Sequence, residues 1–303
     1  MTPLALTVLA PALLLAAPAV AEDAGNLRAT YQTYAGGLHV ADATAEFGFG
    51  RWSYQLRVAF HTTGLVGFFY QAHQVNSVTG SWTEHSLAPH EFALDGLWRD
   101  QQRTTLIEYD AGKPLVRALV PPNGPERQTV PPGLQANTVD TLSALAGMIR
   151  TVALSGRCEG AVHTYDGRTA TVLSAHTVGT ETLEPTGRSI FSGPALRCDF
   201  ESRILAGFLT DDSEEAHLRP LHGSAWLAPV VPGEMAIPVR MTIGTRWFGE
   251  PTVYLTGVDS QTSAGQPASA GSGPVASSAP ASAGTSENAA AVAAAPAAIA
   301  RGP

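Results

Sequence analysis

The sequence predicts a mainly β protein in which one curved antiparallel sheet wraps around a single helix. Apolar residues recur with a period of two along most of the chain, and glycine-containing turn signals separate these runs at short intervals. Only one segment has the three-four spacing of an amphipathic helix.

In chain order, Leu4 to Val20 is almost wholly apolar and closes on Ala19-Val20-Ala21 before Glu22, the small-x-small pattern of a signal-peptide cleavage site. Residues 1–21 are therefore read as a signal peptide, so export is expected and no stable membrane span is. Strand-rich composition follows over Leu27–Tyr34, Leu38–Phe49, Leu65–Val75, Thr104–Tyr109 and Leu115–Val120. The clearest alternation lies in Arg51–Phe60, where Trp52, Tyr54, Leu56, Val58 and Phe60 share one face. Ala35-Gly36-Gly37, Thr63-Gly64, Thr79-Gly80 and Asp110-Ala111-Gly112 read as the turns between strands. Such short connections make hairpins, and hairpins make the sheet antiparallel.

After a proline-rich crossover, Asp140–Leu154 places Leu142, Leu145, Ala146 and Ile149 on one helical stripe, with Thr138 or Asp140 as the cap. Val162–Tyr165 and Arg168–Leu173 are strand-like and joined by Asp166-Gly167, a dipeptide suited to a two-residue type I′ hairpin. Ile237, Val239, Met241 and Ile243 alternate again. From Ser260 to Pro303 the chain is Ala, Ser, Gly and Pro with almost no large apolar residue, the composition of a disordered tail. Residues 22–259 remain as one domain.

Cys158 and Cys198 are the only cysteines, and an exported chain meets an oxidising compartment, so they are expected to form a structural disulfide. Lys113 stands alone among seventeen arginines, a usage typical of GC-rich bacterial genomes, and the expected destination is the periplasm. The formal charge of −8, with scattered basic residues, argues against nucleic acid as a partner.

YQTYAGGLHV, the VDTLSAL helix start, the YDGR hairpin and the paired cysteines together resemble the exported bacterial family called domain of unknown function 3108, over about Leu27 to Val258. The resemblance implies an open, barrel-like sheet around a helix, similar to periplasmic carriers of lipoproteins and other lipid-binding envelope proteins. It supplies no catalytic residues.

The chain carries no Gly-x-Ser-x-Gly elbow, phosphate-cradling glycine loop or His-Glu-x-x-His, so no catalytic residue, cofactor or metal is assigned and the protein is not read as an enzyme. His61, His73, His85 and His90 fall at strand ends or on solvent faces, and Thr210–Glu215 reads as a solvated acidic loop. Trp52, Tyr54, Phe68 and Tyr70 are the candidates for lining an apolar cavity, with Leu56 and Val58 as core. Two functions fit: a carrier holding a lipid or other apolar ligand in the concave face, or an envelope scaffold binding protein partners through a sheet edge or the tail.

Overall fold

The computed structural model describes residues 26–83, 86–98, 101–211, 219–244 and 250–261. The predicted signal peptide, nearly all of the tail, His85, Trp247 and part of the acidic loop lie outside them. Thirteen strands form one antiparallel sheet: β1 (Asn26–Ala35), β2 (Leu38–Phe49), β3 (Ser53–Thr62), β4 (Ala72–Trp82), β5 (Leu87–Trp98), β6 (Gln101–Asp110), β7 (Lys113–Val120), β8 (Gly160–Tyr165), β9 (Ala170–Leu183), β10 (Gly193–Ala206), β11 (Leu221–Ala228), β12 (Ile237–Ile243) and β13 (Thr252–Gln261). Its order is β7-β6-β5-β4-β3-β2-β1-β13-β12-β11-β10-β9-β8. Consecutive strands pair throughout except β7 and β8, which end the ladder, and at its middle β1 meets β13 over Asn26–Tyr34. The sheet is thus a nearly closed barrel with a seam between β7 and β8. Because β13 runs to Gln261, the ladder extends slightly beyond the expected boundary at Asp259.

Alternation places Tyr54, Leu56 and Val58 of β3 inward, opposite Val78 of β4, and on across the ladder to Phe92 and Ile107. Among the described residues there are three helices: α1 (Gly64–Phe69), α2 (Pro132–Gln135) and the longer α3 (Thr141–Ser155). α3 packs against β3, β4, β5 and β8, burying Leu142, Ala146, Ile149 and Val152 in the core shared with Leu56, Trp82 and Phe92. Asp140 is its N-cap, accepting from the Ser143 amide at 2.8 Å, and left-handed Gly156 (φ 68°) ends it. Thr138 instead donates to the Gln135 carbonyl.

Three local readings are corrected. Leu65–Val75 is not one strand: Gly64 enters the left-handed region (φ 57°), α1 follows, and β4 starts only at Ala72. The Thr62 hydroxyl closes this excursion, donating to the Tyr70 carbonyl at 2.8 Å and accepting from the Ala72 amide at 3.0 Å. Thr79-Gly80 is no turn but the middle of β4, where a Cβ on Gly80 would lie 2.3 Å from the Tyr54 ring. The Asp166 hairpin is longer than two residues, because the Asp166 side chain accepts from the amides of Arg168 and Thr169 and builds a wider, Asx-type turn.

The seam is closed by side chains and by the crossover from Pro121 to Val139. Val139 bridges to Thr164 in parallel fashion, its amide donating to the His163 carbonyl at 3.0 Å. The β8–β9 hairpin tip tucks against β6 and β7: Gly167 is buried, and a Cβ there would meet Leu119 at 3.2 Å and Thr105 at 3.5 Å.

Candidate functional site

The four cavity-lining candidates do not come together. Tyr54 is 2% exposed and belongs to the packed core. Trp52 lies before β3 begins, half exposed, with the Arg51 guanidinium 5.2 Å from its ring centre. Phe68 and Tyr70 sit on and just after α1, both exposed. Leu56 and Val58 are core. Cys158 and Cys198 are bonded, with Cα atoms 6.0 Å apart.

α1 is the anomalous element. Its sequence, GLVGFF, holds no charged or polar side chain, and none of its residues is buried. Leu65, Phe68 and Phe69 fall at the i, i+3, i+4 spacing that a core helix turns inward, yet they are 67%, 77% and 67% exposed. Half-buried Val66 and Gly67 face the barrel instead, and a Cβ on Gly67 would come within 2.8 Å of the Thr62 carbonyl. Exposed Leu38, at the adjoining start of β2, extends the apolar surface. Behind it lies an amphipathic belt: the Tyr34 and His39 rings are 5.3 Å apart, Arg188 stacks 4.3 Å from the Tyr34 ring centre, and His39 contacts Asp42 at 3.0 Å.

Inside the barrel, the start of α3 is held by a polar relay. Ser143 Oγ donates to Asp140 Oδ2 at 2.5 Å, which leaves the Tyr54 hydroxyl to donate to Ser143 Oγ at 2.8 Å. The Tyr109 hydroxyl is buried nearby and has no hydrogen-bond partner among the described residues. Burial pushes both phenols above the usual tyrosine range, so both stay neutral. Burial also lifts the Asp140 carboxyl to about 6, against hydrogen bonds from Ser143 that lower it. Ser143 is fully buried, so the relay acts on the helix cap rather than on solvent.

A raised carboxylate pKa has a defined sign. Between about pH 4 and pH 6 the folded chain holds a proton that the unfolded chain releases, so the contribution to stability is full below pH 4 and is lost as pH rises to 6. The loss is roughly 3 kcal/mol for a shift of this size. Asp140→Asn keeps an oxygen for the Ser143 amide but does not titrate, so the stability decline across this window is expected to shrink by that amount in urea titrations. An equal decline in both proteins would assign the titration to another group.

A groove of about 350 Å³ crosses the outer face of β1 to β4, but its floor is charged: Glu46 pairs with Arg28 at 3.1 Å and approaches Arg57 at 3.9 Å. It does not suit an apolar ligand. Among the described residues no helix is long and apolar enough to cross a membrane, and no three His, Cys, Asp or Glu side chains are grouped to hold a metal. His61 and His73 are cross-strand neighbours on β3 and β4.

The architecture defines a nearly closed, β-barrel-like protein plugged by one helix. The family described as protein of unknown function, DUF3108, matches residues 30–256, and the chain belongs to it. No curated protein matches the chain. Among solved structures, it is similar to a β-barrel-like protein of domain of unknown function DUF1849 from Brucella abortus, at 11% identity and a TM-score of 0.46, covering 80% of this chain and all of that one.

Proposed function

We propose that the protein is an exported envelope protein that engages lipid through the apolar end formed by α1, rather than through a cavity lined by Trp52 and Tyr54. The observation that carries this reading is a helix whose leucine and two phenylalanines face solvent. A segment that offers no hydrogen-bonding side chain matches a hydrocarbon phase, which offers none either. The tyrosine and histidine belt behind it suits the headgroup level, where rings with one polar edge concentrate. Capture of strands at the β8 edge is disfavoured, because Val139 and the crossover occupy that edge over His163–Tyr165.

Each exposed phenylalanine transferred out of water is worth roughly 1.5–3 kcal/mol before association costs. Phe68→Ser with Phe69→Ser is therefore expected to weaken partition into phosphatidylcholine vesicles on the order of a hundredfold in a sedimentation assay. The unfolding midpoint should not change, since neither ring is buried. Absence of wild-type binding, or equal binding by the double variant, would overturn the reading.

A further inference from the structure

We propose that Arg103, Arg127 and Arg168, gathered where the β8–β9 hairpin meets the inner face of β6, form a binding site for an oxyanion, a phosphate or carboxylate group. Three different parts of the chain supply them. Arg103 shares the inward face of β6 with buried Thr105 and Ile107, and the Thr105 methyl approaches Gly167, the residue before Arg168. Arg127 comes from the crossover, where it bridges to Leu209.

Neutral oxygens hold two of these guanidinium groups in place. Arg168 Nη2 donates to the carbonyls of Val120 and Pro121 at 3.1 and 2.7 Å, and its Nη1 donates to Asn123 Oδ1 at 3.3 Å. Arg127 Nη1 donates to the Gly207 carbonyl at 2.6 Å. These bonds fix direction without cancelling charge. The Arg103 side chain has no hydrogen bond or ion pair among the described residues, and its Nε is fully enclosed.

The nearby acids are engaged elsewhere. Asp166 accepts from the amides of Arg168 and Thr169, and Glu126 accepts from the Gly124 amide, without an ion pair to any of the three arginines among the described residues. Burial, and the positive charge of the neighbouring arginines, hold Arg103 and Arg168 below the usual guanidinium range, at Arg168 against the partly offsetting charges of Asp166 and Glu126. A half-buried cation left unpaired is costly, and arrival of an anion removes that cost. Phosphate and carboxylate fit because their paired oxygens match the guanidinium fork.

The arginines lie on β6, the crossover and the β8–β9 hairpin, not on α1, so free phosphate can test the site without lipid. Titration of the full chain with inorganic phosphate at constant ionic strength should give saturable binding by calorimetry. Arg103→Gln should raise the Kd about tenfold, the loss of one charge-assisted hydrogen bond. Arg103→Lys keeps the charge and loses the fork, so a Kd about threefold higher is expected, with the fold preserved. Arg157→Gln, an exposed residue paired with Glu159, should change nothing.

Vesicles containing phosphatidic acid identify the source of the anion. Phosphate binding lost in Arg103→Gln, with vesicle binding unchanged, indicates a free oxyanion. Loss of the preference for phosphatidic acid over phosphatidylcholine indicates a lipid headgroup. Phosphate and vesicle binding both independent of Arg103 would overturn the site and leave the arginines as seam stitching alone.

Discussion

Tyr54→Ala is expected to destabilise the protein by about 4 kcal/mol, the middle of the range for aromatic truncation in a packed core. The ring ends a stack centred on Trp82: its centroid is 5.1 Å from that of Trp82, which is 5.7 Å from Phe49. Arg150 covers the same tryptophan at 4.5 Å. Gly80 gives the ring its room, and that space would become a void on truncation. The hydroxyl also donates to Ser143, so alanine leaves the capping relay short of a donor. Tyr54→Phe separates the contributions, with an expected cost of about 1 kcal/mol for the hydrogen bond alone. Urea unfolding at unchanged slope measures both. A loss under about 1 kcal/mol for Tyr54→Ala would show that the ring is not part of the core packing.

Removal of the Cys158–Cys198 bond is expected to cost a similar amount. The cysteines are 40 residues apart, and opening a loop of that size restores about 4 kcal/mol of entropy to the unfolded chain in the loop-closure description. Both residues are buried, and Cys158 lies three residues past the end of α3, so the bond anchors the plugging helix to β10. The Cys158 amide also donates to Thr177 Oγ1 of β9 at 2.9 Å. Cys158→Ala with Cys198→Ala should shift the urea midpoint accordingly, and reduction of the wild type should reproduce the shift. An unchanged midpoint in both would deny the bond a role in stability.

The local pattern reveals those elements that bury a single face. β3 alternates cleanly because one side meets the core and the other meets water, and α3 shows its stripe for the same reason. β11 escapes this logic because Ser224 to Ala228 are buried in succession, which erases the period of two. β5 carries Pro89 and Gly96, and β10 and β13 are interrupted by register shifts, so none of them declares itself. α1 misleads because an unbroken apolar run has no period with which to distinguish strand from helix. The paired cysteines were legible from their number, whereas Tyr54 and Ser143 lie 89 positions apart and meet only through the closure of the sheet. The arginines of the seam escape for the same reason: each is unremarkable locally, and only the rolled topology gathers them.

That the first and last strands pair at the middle of the ladder has a kinetic consequence. The β1–β13 ladder joins residues separated by most of the chain, and the Tyr31 hydroxyl donates to the Pro238 carbonyl across 207 positions. Pairing at such sequence separation places the protein among slow folders, because loop closure must precede the contacts that reward it. Until β13 emerges from the ribosome, β1 presents an open edge, and the two half-sheets have no hydrogen-bonded ladder between them. The ladder is therefore completed only when β13 arrives, and the β1 edge stays open to stray strands until then.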